Sequence, residues 1–208
     1  MRIALALLVA ALAAWWWFAQ DDSPAAPPAA PIEETGIDPT ITFTSLTQGD
    51  VHGGEAVTLL PGTPDQILEA ITDFEHAAAH RSFAEAMEVL ATRDDSTEVA
   101  LTLKGRVGVN PKIHVRYTTK RDGDAIEVHY QLTKKAFGIA QYEGRYRIDP
   151  VEGRPPRSRF RSRIFVSSGI ALMKVDHDDI EQGQRTDQAE LRAWLHERLA
   201  PEAQDDSR

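Results

Sequence analysis

Tyrosine hydroxyls are the groups in this sequence that best suit chemistry inside a folded domain. All four tyrosines of the chain occupy positions that would point inward from alternating strands. A buried phenol usually has a polar partner, so these side chains could orient a bound molecule within an apolar pocket. They could equally fill a solid core, and the sequence leaves both interpretations open. The four residues are Tyr117, Tyr130, Tyr142 and Tyr146.

Two groups of residues resemble metal ligands, but each has a simpler explanation. His76 and His80 would share one face of a helix at i, i+4 spacing, and Glu75 precedes them. No HExxH pattern is present, so surface histidines on a short turn are the better interpretation. The acids between Asp176 and Glu181 lack the calcium-loop pattern and suit the start of a helix. We therefore predict no metal and no cofactor.

Signatures of hydrolysis and of nucleic-acid binding are missing from the sequence. It contains no cysteine, no G-x-S-x-G motif and no glycine-rich phosphate loop. The formal net charge of −9 argues against nucleic acid as a partner. Alternating arginines predict a basic sheet face, which could meet anionic lipid head groups but is explained more simply as solvated strand surface. These arginines are Arg145, Arg147, Arg159, Arg161 and Arg163.

An apolar segment at the N-terminus predicts export. Residues 3–19 form an unbroken apolar run, just long enough for a bilayer-spanning helix, and Arg2 precedes it. The positive end should stay in the cytoplasm, which leaves the rest of the chain outside. We interpret residues 1–20 as a signal anchor in the inner or plasma membrane, with the domain on its non-cytoplasmic side. A cleaved signal peptide, and so a periplasmic or secreted protein, is the alternative.

Segments without periodicity bound the folded part of the chain. Residues 21–39 are rich in proline and alanine, which favours an extended, semi-rigid linker between a membrane and a domain. Residues 201–208 are polar and are predicted to be a disordered tail. The folded domain is therefore predicted to occupy residues 40–200.

Alternation of apolar and polar residues predicts that most of this domain is β-sheet. Two alternating runs, with turn residues at Gly49-Asp50 and Gly53-Gly54, precede a short helix over residues 64–72. The chain then turns at Asp73-Phe74-Glu75, where a second short helix could begin. About six strands follow, for which an antiparallel meander is the simplest topology.

One C-terminal helix must cover the apolar face of this sheet. Its apolar stripe includes Leu199. Because glycine destabilises the interior of a helix, Gly183 suggests that the regular part of this helix begins near Thr186. A helix is about 10 Å wide, whereas six strands span roughly 25 Å at about 4.8 Å per strand. We therefore predict that the sheet curls around the helix, and that the remaining space is a cavity or is filled by large side chains.

This arrangement resembles the START-like or Bet v 1-like helix-grip superfamily (SRPBCC), which includes polyketide cyclase/dehydrase-type and coenzyme-Q-binding-type domains. The resemblance rests on the segment GGEAVTLLPGTPDQILEAITDFEHAAAHRSFAEAMEVL, the strands after it and the terminal LRAWLHERL, and it spans about residues 42–199. It implies an α+β helix-grip fold, in which a curved antiparallel sheet wraps a long C-terminal helix and short helices follow the first strand. It also implies an internal pocket for a hydrophobic ligand.

These observations lead to one main functional hypothesis and two alternatives. We predict a membrane-tethered, exported domain that binds or carries a hydrophobic small molecule, lipid-like or quinone-like, without catalysis. A polyketide cyclase/dehydratase-like enzyme, or a protein-interaction module without a ligand, are the alternatives. The predicted ligand-binding residues are Leu101, Leu103, Ile113, Val115, Tyr117, Val128, Tyr130, Tyr142, Tyr146, Ile164, Leu191, Trp194 and Leu195.

Overall fold

The computed structural model describes residues 41–104, 110–134, 138–169 and 175–200. In these ranges, eight strands form one antiparallel sheet against which three helices pack, so the α+β prediction is confirmed. The elements are β1 (Thr42–Gln48), β2 (Val51–Pro61), α1 (Pro64–Thr72), α2 (Phe74–His80), β3 (Ala84–Arg93), β4 (Ser96–Leu103), β5 (Lys112–Asp122), β6 (Ala125–Lys134), β7 (Ile139–Val151), β8 (Arg157–Ser168) and α3 (His177–Leu199).

The proposed anchor, linker and tail all lie outside the described residues. Residues 1–40 and 201–208 are not among those ranges, so the predictions for them remain predictions. Within the described part of the chain, no helix combines the length and the apolarity that crossing a bilayer requires.

The strand order explains why two short helices interrupt the sheet. The order is β1-β2-β8-β7-β6-β5-β4-β3, so β3 to β8 form the predicted meander and β2 pairs with β8. Because β2 and β3 lie on opposite sides of the sheet, the chain between them must cross it. Helices α1 and α2 make this crossing.

Local signals set the ends of these two helices. Thr63 caps α1, and its capping box with Gln66 is complete, while Pro64 occupies the first turn. Asp73 leaves the helical conformation, with ψ of 69°, and so separates α1 from α2. The buried residues of α1, Ile67 and Ile71, face the core. The predicted turn at Asp73 is therefore confirmed.

Glycines on the inner face let the sheet bend. Gly54 on β2 and Gly144 on β7 both stand beside Ile164 of β8 in one cross-strand row. A Cβ atom on Gly54 would lie 2.4 Å from the Phe43 ring. On Gly144 it would lie 2.1 Å from the Arg163 carbonyl oxygen. The prediction of a turn at Gly53-Gly54 is wrong, because these glycines provide close approach within a long strand.

Replacing Gly144 with alanine should therefore destabilise the domain by about 3 kcal/mol, the upper end of overpacking effects. The closest atom is a backbone oxygen, so relief requires a shift of β8 rather than a rotamer change. Gly183→Ala is the matched control, since a Cβ there meets nothing within 4 Å on α3 and should stabilise the domain by about 0.5–1 kcal/mol. Urea denaturation measures both values. Equal and small effects would contradict this explanation of the bend.

Bulges explain why the alternation in β3 is imperfect. The register with β4 shifts between Ala84 and Ala86 and again between Val89 and Ala91. Each extra residue reverses the faces of the residues that follow. Val89 and Leu90 are consequently exposed, and they are the exposed large hydrophobic residues of the described chain.

Helix α3 is longer than the sequence predicts. It begins at His177 rather than near Thr186, since Asp176 and Asp179 form a complete capping box at its start. The prediction that the acids mark a helix N-terminus is confirmed. Gly183 is tolerated within the helix because it lies on the exposed side. The helix packs mainly on β2 and also contacts β1, α1 and α2.

Candidate ligand-binding site

The inner face of the sheet and the buried side of α3 form one apolar interior. The predicted ligand-binding residues all belong to this interior or pack against it, although no ligand contact tests their role. Nine are buried in the core: Leu101, Ile113, Val115, Tyr117, Val128, Tyr130, Tyr146, Leu191 and Leu195. Four are partly buried and pack against it: Leu103, Tyr142, Ile164 and Trp194.

The four tyrosines form a continuous aromatic cluster across the sheet. Tyr130 lies at its centre, with ring centroids 5.9 Å from Tyr117, 5.6 Å from Tyr142 and 5.0 Å from Tyr146. The Tyr130 hydroxyl donates a hydrogen bond to the Arg163 carbonyl oxygen at 3.2 Å, over Gly144. The cluster therefore gives an apolar interior a set of fixed hydroxyl groups.

Burial keeps these phenols protonated. Removal from water raises the pKa of Tyr130 and of Tyr142 well above the ordinary value, and neighbouring tyrosines add to the shift. Burial likewise raises the pKa of Tyr117 and of Tyr146. At neutral pH the hydroxyls can donate or accept hydrogen bonds but do not act as ionised bases.

A buried arginine lies beside this cluster and was not predicted from the sequence. Arg81 follows α2 directly and is only 2% exposed. Its Nε atom lies 3.7 Å from Oδ1 of Asp187 on α3, and its positive charge is close enough to Tyr146 to oppose the burial that raises the pKa of that phenol. A polar centre, formed by Arg81, Asp187 and Tyr146, thus lies in the apolar interior between α3 and the sheet. The only available sequence signal was a charged residue between two apolar segments.

The two charges of this centre respond differently to burial. Burial raises the pKa of Asp187 above its ordinary value, and the nearby Arg81 only partly opposes this. Burial lowers the pKa of Arg81, but the field of Asp187 and the tyrosines outweighs it, so the net shift is upward. Arg81 therefore stays charged, while Asp187 accepts a proton more readily than an exposed aspartate.

Two glutamines of α3 connect the helix to the strands beneath it. Gln184 donates its amide hydrogens to Gly54 and Ser162 at 3.3–3.4 Å. Gln188 donates to the Ala56 carbonyl oxygen at 3.1 Å. Neither residue was in the predicted site. Gln184 precedes the predicted start of the regular helix near Thr186, and glutamine is usually an exposed residue.

Trp194 and His80 meet at the contact between α2 and α3. Their rings stack with centroids 4.6 Å apart, and the Arg198 guanidinium lies over the Trp194 ring at 4.8 Å. The prediction that His80 is a surface residue is wrong, because this stack covers it, and burial lowers its pKa. His76 is exposed and pairs with Asp73. In the described ranges, His, Cys, Asp and Glu side chains form no group of three that could hold a metal ion.

The arginines of the outer face are paired with acids. Arg163 contacts Glu55 at 2.6 Å, and Arg147 contacts Asp149 at 2.8 Å and Glu127 at 3.3 Å. These cross-strand pairs neutralise much of the basic row. They favour its interpretation as solvated strand surface.

The fold and its enclosed interior define a helix-grip protein with a START-like binding domain. A family model for polyketide cyclase / dehydrase and lipid transport proteins matches residues 54–195. The chain belongs to this family, which confirms the resemblance inferred from the sequence. It is accordingly a hydrophobic ligand-binding domain of the START/polyketide cyclase type. A search of curated protein sequences finds no match.

Solved structures with low sequence identity share the fold. A STAR-related lipid transfer protein from Xanthomonas axonopodis is 14% identical with a TM-score of 0.60, covering 75% of this chain and 93% of that protein. The Zhui aromatase/cyclase from a Streptomyces species is 15% identical with a TM-score of 0.58, covering 72% and 96%. The human StarD13 lipid transfer and protein localization domain is 12% identical with a TM-score of 0.56, covering 74% and 89%.

Proposed function

We propose that the domain binds and carries a hydrophobic small molecule, lipid-like or quinone-like, without chemical conversion. The proposal rests on how the helices cover the sheet: α3 packs mainly on β2 and α1 contacts β6 and β7, while the apolar, tyrosine-rich inner face extends across β4 to β7 between them. An apolar molecule between α3 and these central strands would be shielded from water. The phenols and Arg81 would orient its polar end.

The state of the ionisable groups supports binding rather than catalysis. The four phenols have raised pKa values and Arg81 stays charged, so neither group is suited to remove a proton at neutral pH. The phenols and the Arg81 guanidinium are instead suited to donate hydrogen bonds to a carbonyl or hydroxyl oxygen of a ligand. A ligand held in this way would be released unchanged.

A cyclase-like activity is the second candidate, and Asp187 is the observation that favours it. This carboxyl lies in the interior beside Arg81, and burial raises its pKa towards the range of general acids and bases. The test is whether the purified chain converts an aromatic polyketide-like substrate. If it does, and if the Asp187→Asn variant loses this activity, the cyclase-like function would be supported over the carrier function.

We also propose that the domain acts at the cell envelope, held by its N-terminal segment. The support is the apolar run of residues 3–19, followed by the proline- and alanine-rich residues 21–39. Fractionation of cells that express the full chain tests this. Recovery in the membrane fraction with a protease-accessible domain is expected, whereas a cytoplasmic chain would contradict it.

Native mass spectrometry of the full chain, purified from its membrane extract, tests the carrier function. We expect a bound apolar adduct that organic solvent releases unchanged. Ile164→Trp should lower the bound fraction about tenfold, the equivalent of about 1.4 kcal/mol, because the indole would occupy interior space between two glycines.

Phe165→Trp is the matched control, since residue 165 points to the opposite face of the same strand. It should keep the wild-type occupancy. Cooperative thermal unfolding of both variants would show that the comparison is between folded proteins. A wild-type chain of apo mass only would contradict the carrier function.

A further inference from the structure

Two glutamines on the buried side of α3 carry amide oxygens that the fold leaves unpaired. Gln184 and Gln188 are both buried, the second completely. Neither Oε1 atom has a hydrogen-bond partner among the described residues. Buried polar atoms nearly always have a partner in folded proteins, so two such oxygens on one helix face require an explanation.

The orientation of both amides is fixed by their other contacts. The Gln184 nitrogen faces the Gly54 and Ser162 carbonyl oxygens, and the Gln188 nitrogen faces the Ala56 carbonyl oxygen. Carbonyl oxygens only accept hydrogen bonds, so rotating either amide would place oxygen against oxygen. The Oε1 atoms must therefore point away from these strand carbonyl oxygens.

Neighbouring polar groups do not supply the missing donors. Oδ1 of Asp187 and Nε of Arg81 also lack hydrogen-bond partners in the described part of the chain, but they lie only 3.7 Å apart. A small movement would let them satisfy each other. The carbonyl oxygens of β2 and β8 hold the two glutamine amides in place, and no described donor forms a hydrogen bond with either Oε1 atom.

The spacing of the glutamines makes them a single feature. Side chains four residues apart on a helix lie about 6 Å from each other on the same face. Gln184 and Gln188 continue the stripe that includes Leu191 and Leu195, which the same helix presents to the core. The unpaired acceptors therefore border the interior assigned to the ligand.

We propose that Gln184 and Gln188 form an acceptor site for the hydroxyl group of an otherwise apolar ligand. This inference rests on the proposed function and adds a ligand class to it. A hydroxyl donor that enters between α3 and the sheet would complete the hydrogen bonding of an amide that is already oriented. A ligand without a donor would leave the oxygens unpaired and would bind more weakly.

Naphthol and its methyl ether are suitable probes, since they match in shape and only naphthol can donate a hydrogen bond. Titration calorimetry with the full chain gives the ratio of their affinities. We expect Gln188→Met to lower the naphthol preference about five- to tenfold, the effect of one buried hydrogen bond. Gln184→Met is the second variant if the first does not fold.

Gln182→Met is the matched control, because residue 182 is exposed on the same helix. It should keep the wild-type ratio. An unchanged ratio in both buried variants would overturn this inference while the carrier function stands. Binding of neither probe to the wild-type chain would instead overturn the carrier function and, with it, the acceptor site.

Discussion

Raising the pH above 10 is expected to destabilise the folded domain steeply. Tyr117, Tyr130 and Tyr146 are 4%, 3% and 5% exposed, and burial raises the pKa of each phenol. The unfolded chain releases these protons near the ordinary value of 10.0, whereas the folded chain retains them. Stability is therefore lost as the pH rises, at about 1.4 kcal/mol per pH unit for each buried phenol.

Urea denaturation at several alkaline pH values measures this slope. The tyrosinate absorbance of the folded chain gives a second reading, and it reports on the cluster alone because the chain has only four tyrosines. Tyr117→Phe should reduce the slope by about 1.4 kcal/mol per pH unit. Phenols that ionise near pH 10 in the folded chain would show that the cluster is solvated and would refute its burial.

Replacing Asp187 with leucine is expected to destabilise the domain by about 3–5 kcal/mol, because it leaves the Arg81 charge buried without its partner. The double variant Arg81→Leu/Asp187→Leu should recover much of this loss, since it removes both charges. A double-mutant cycle by urea denaturation gives the coupling between them.

Arg121→Leu is the control for a pair of the same charges at the surface. Arg121 and Asp65 are in contact but are both exposed. Loss of that pair should cost roughly 0–1 kcal/mol. A similarly small effect of Asp187→Leu would show that water reaches Arg81 and Asp187, so that the pair behaves like an exposed ion pair.

The central strands could be predicted because their pattern has one physical cause. In β5 and β6 one face packs against the core and the other meets water, so residues such as Val115 and Val128 alternate with polar ones. The same reasoning failed in β3. There, two bulges shift the register, and a bulge leaves no clear mark in a single sequence.

The polar centre could not be predicted, because its charged residues are buried although residues of their type are usually exposed. Arginine and aspartate are usually exposed, and nothing near Arg81 or Asp187 in the sequence signals that α2 and α3 bring them together. The four tyrosines were predicted to point inward, since alternation alone determines their face. Gln184 was missed because a glycine beside it weakened the helix prediction, while the capping box at Asp176 starts the helix earlier.

Photo-crosslinking with an alkyl diazirine probe would show whether the space between α3 and the inner face of the sheet encloses a hydrophobic molecule. Peptide mapping of the labelled full chain would locate the bound probe. We expect labels on partly buried residues of the inner face, such as Tyr142 and Ile164, and we expect these labels to be lost when an excess of natural lipid extract competes. Labels confined to the outer face of the sheet, or to the exposed Val89 and Leu90, would contradict it.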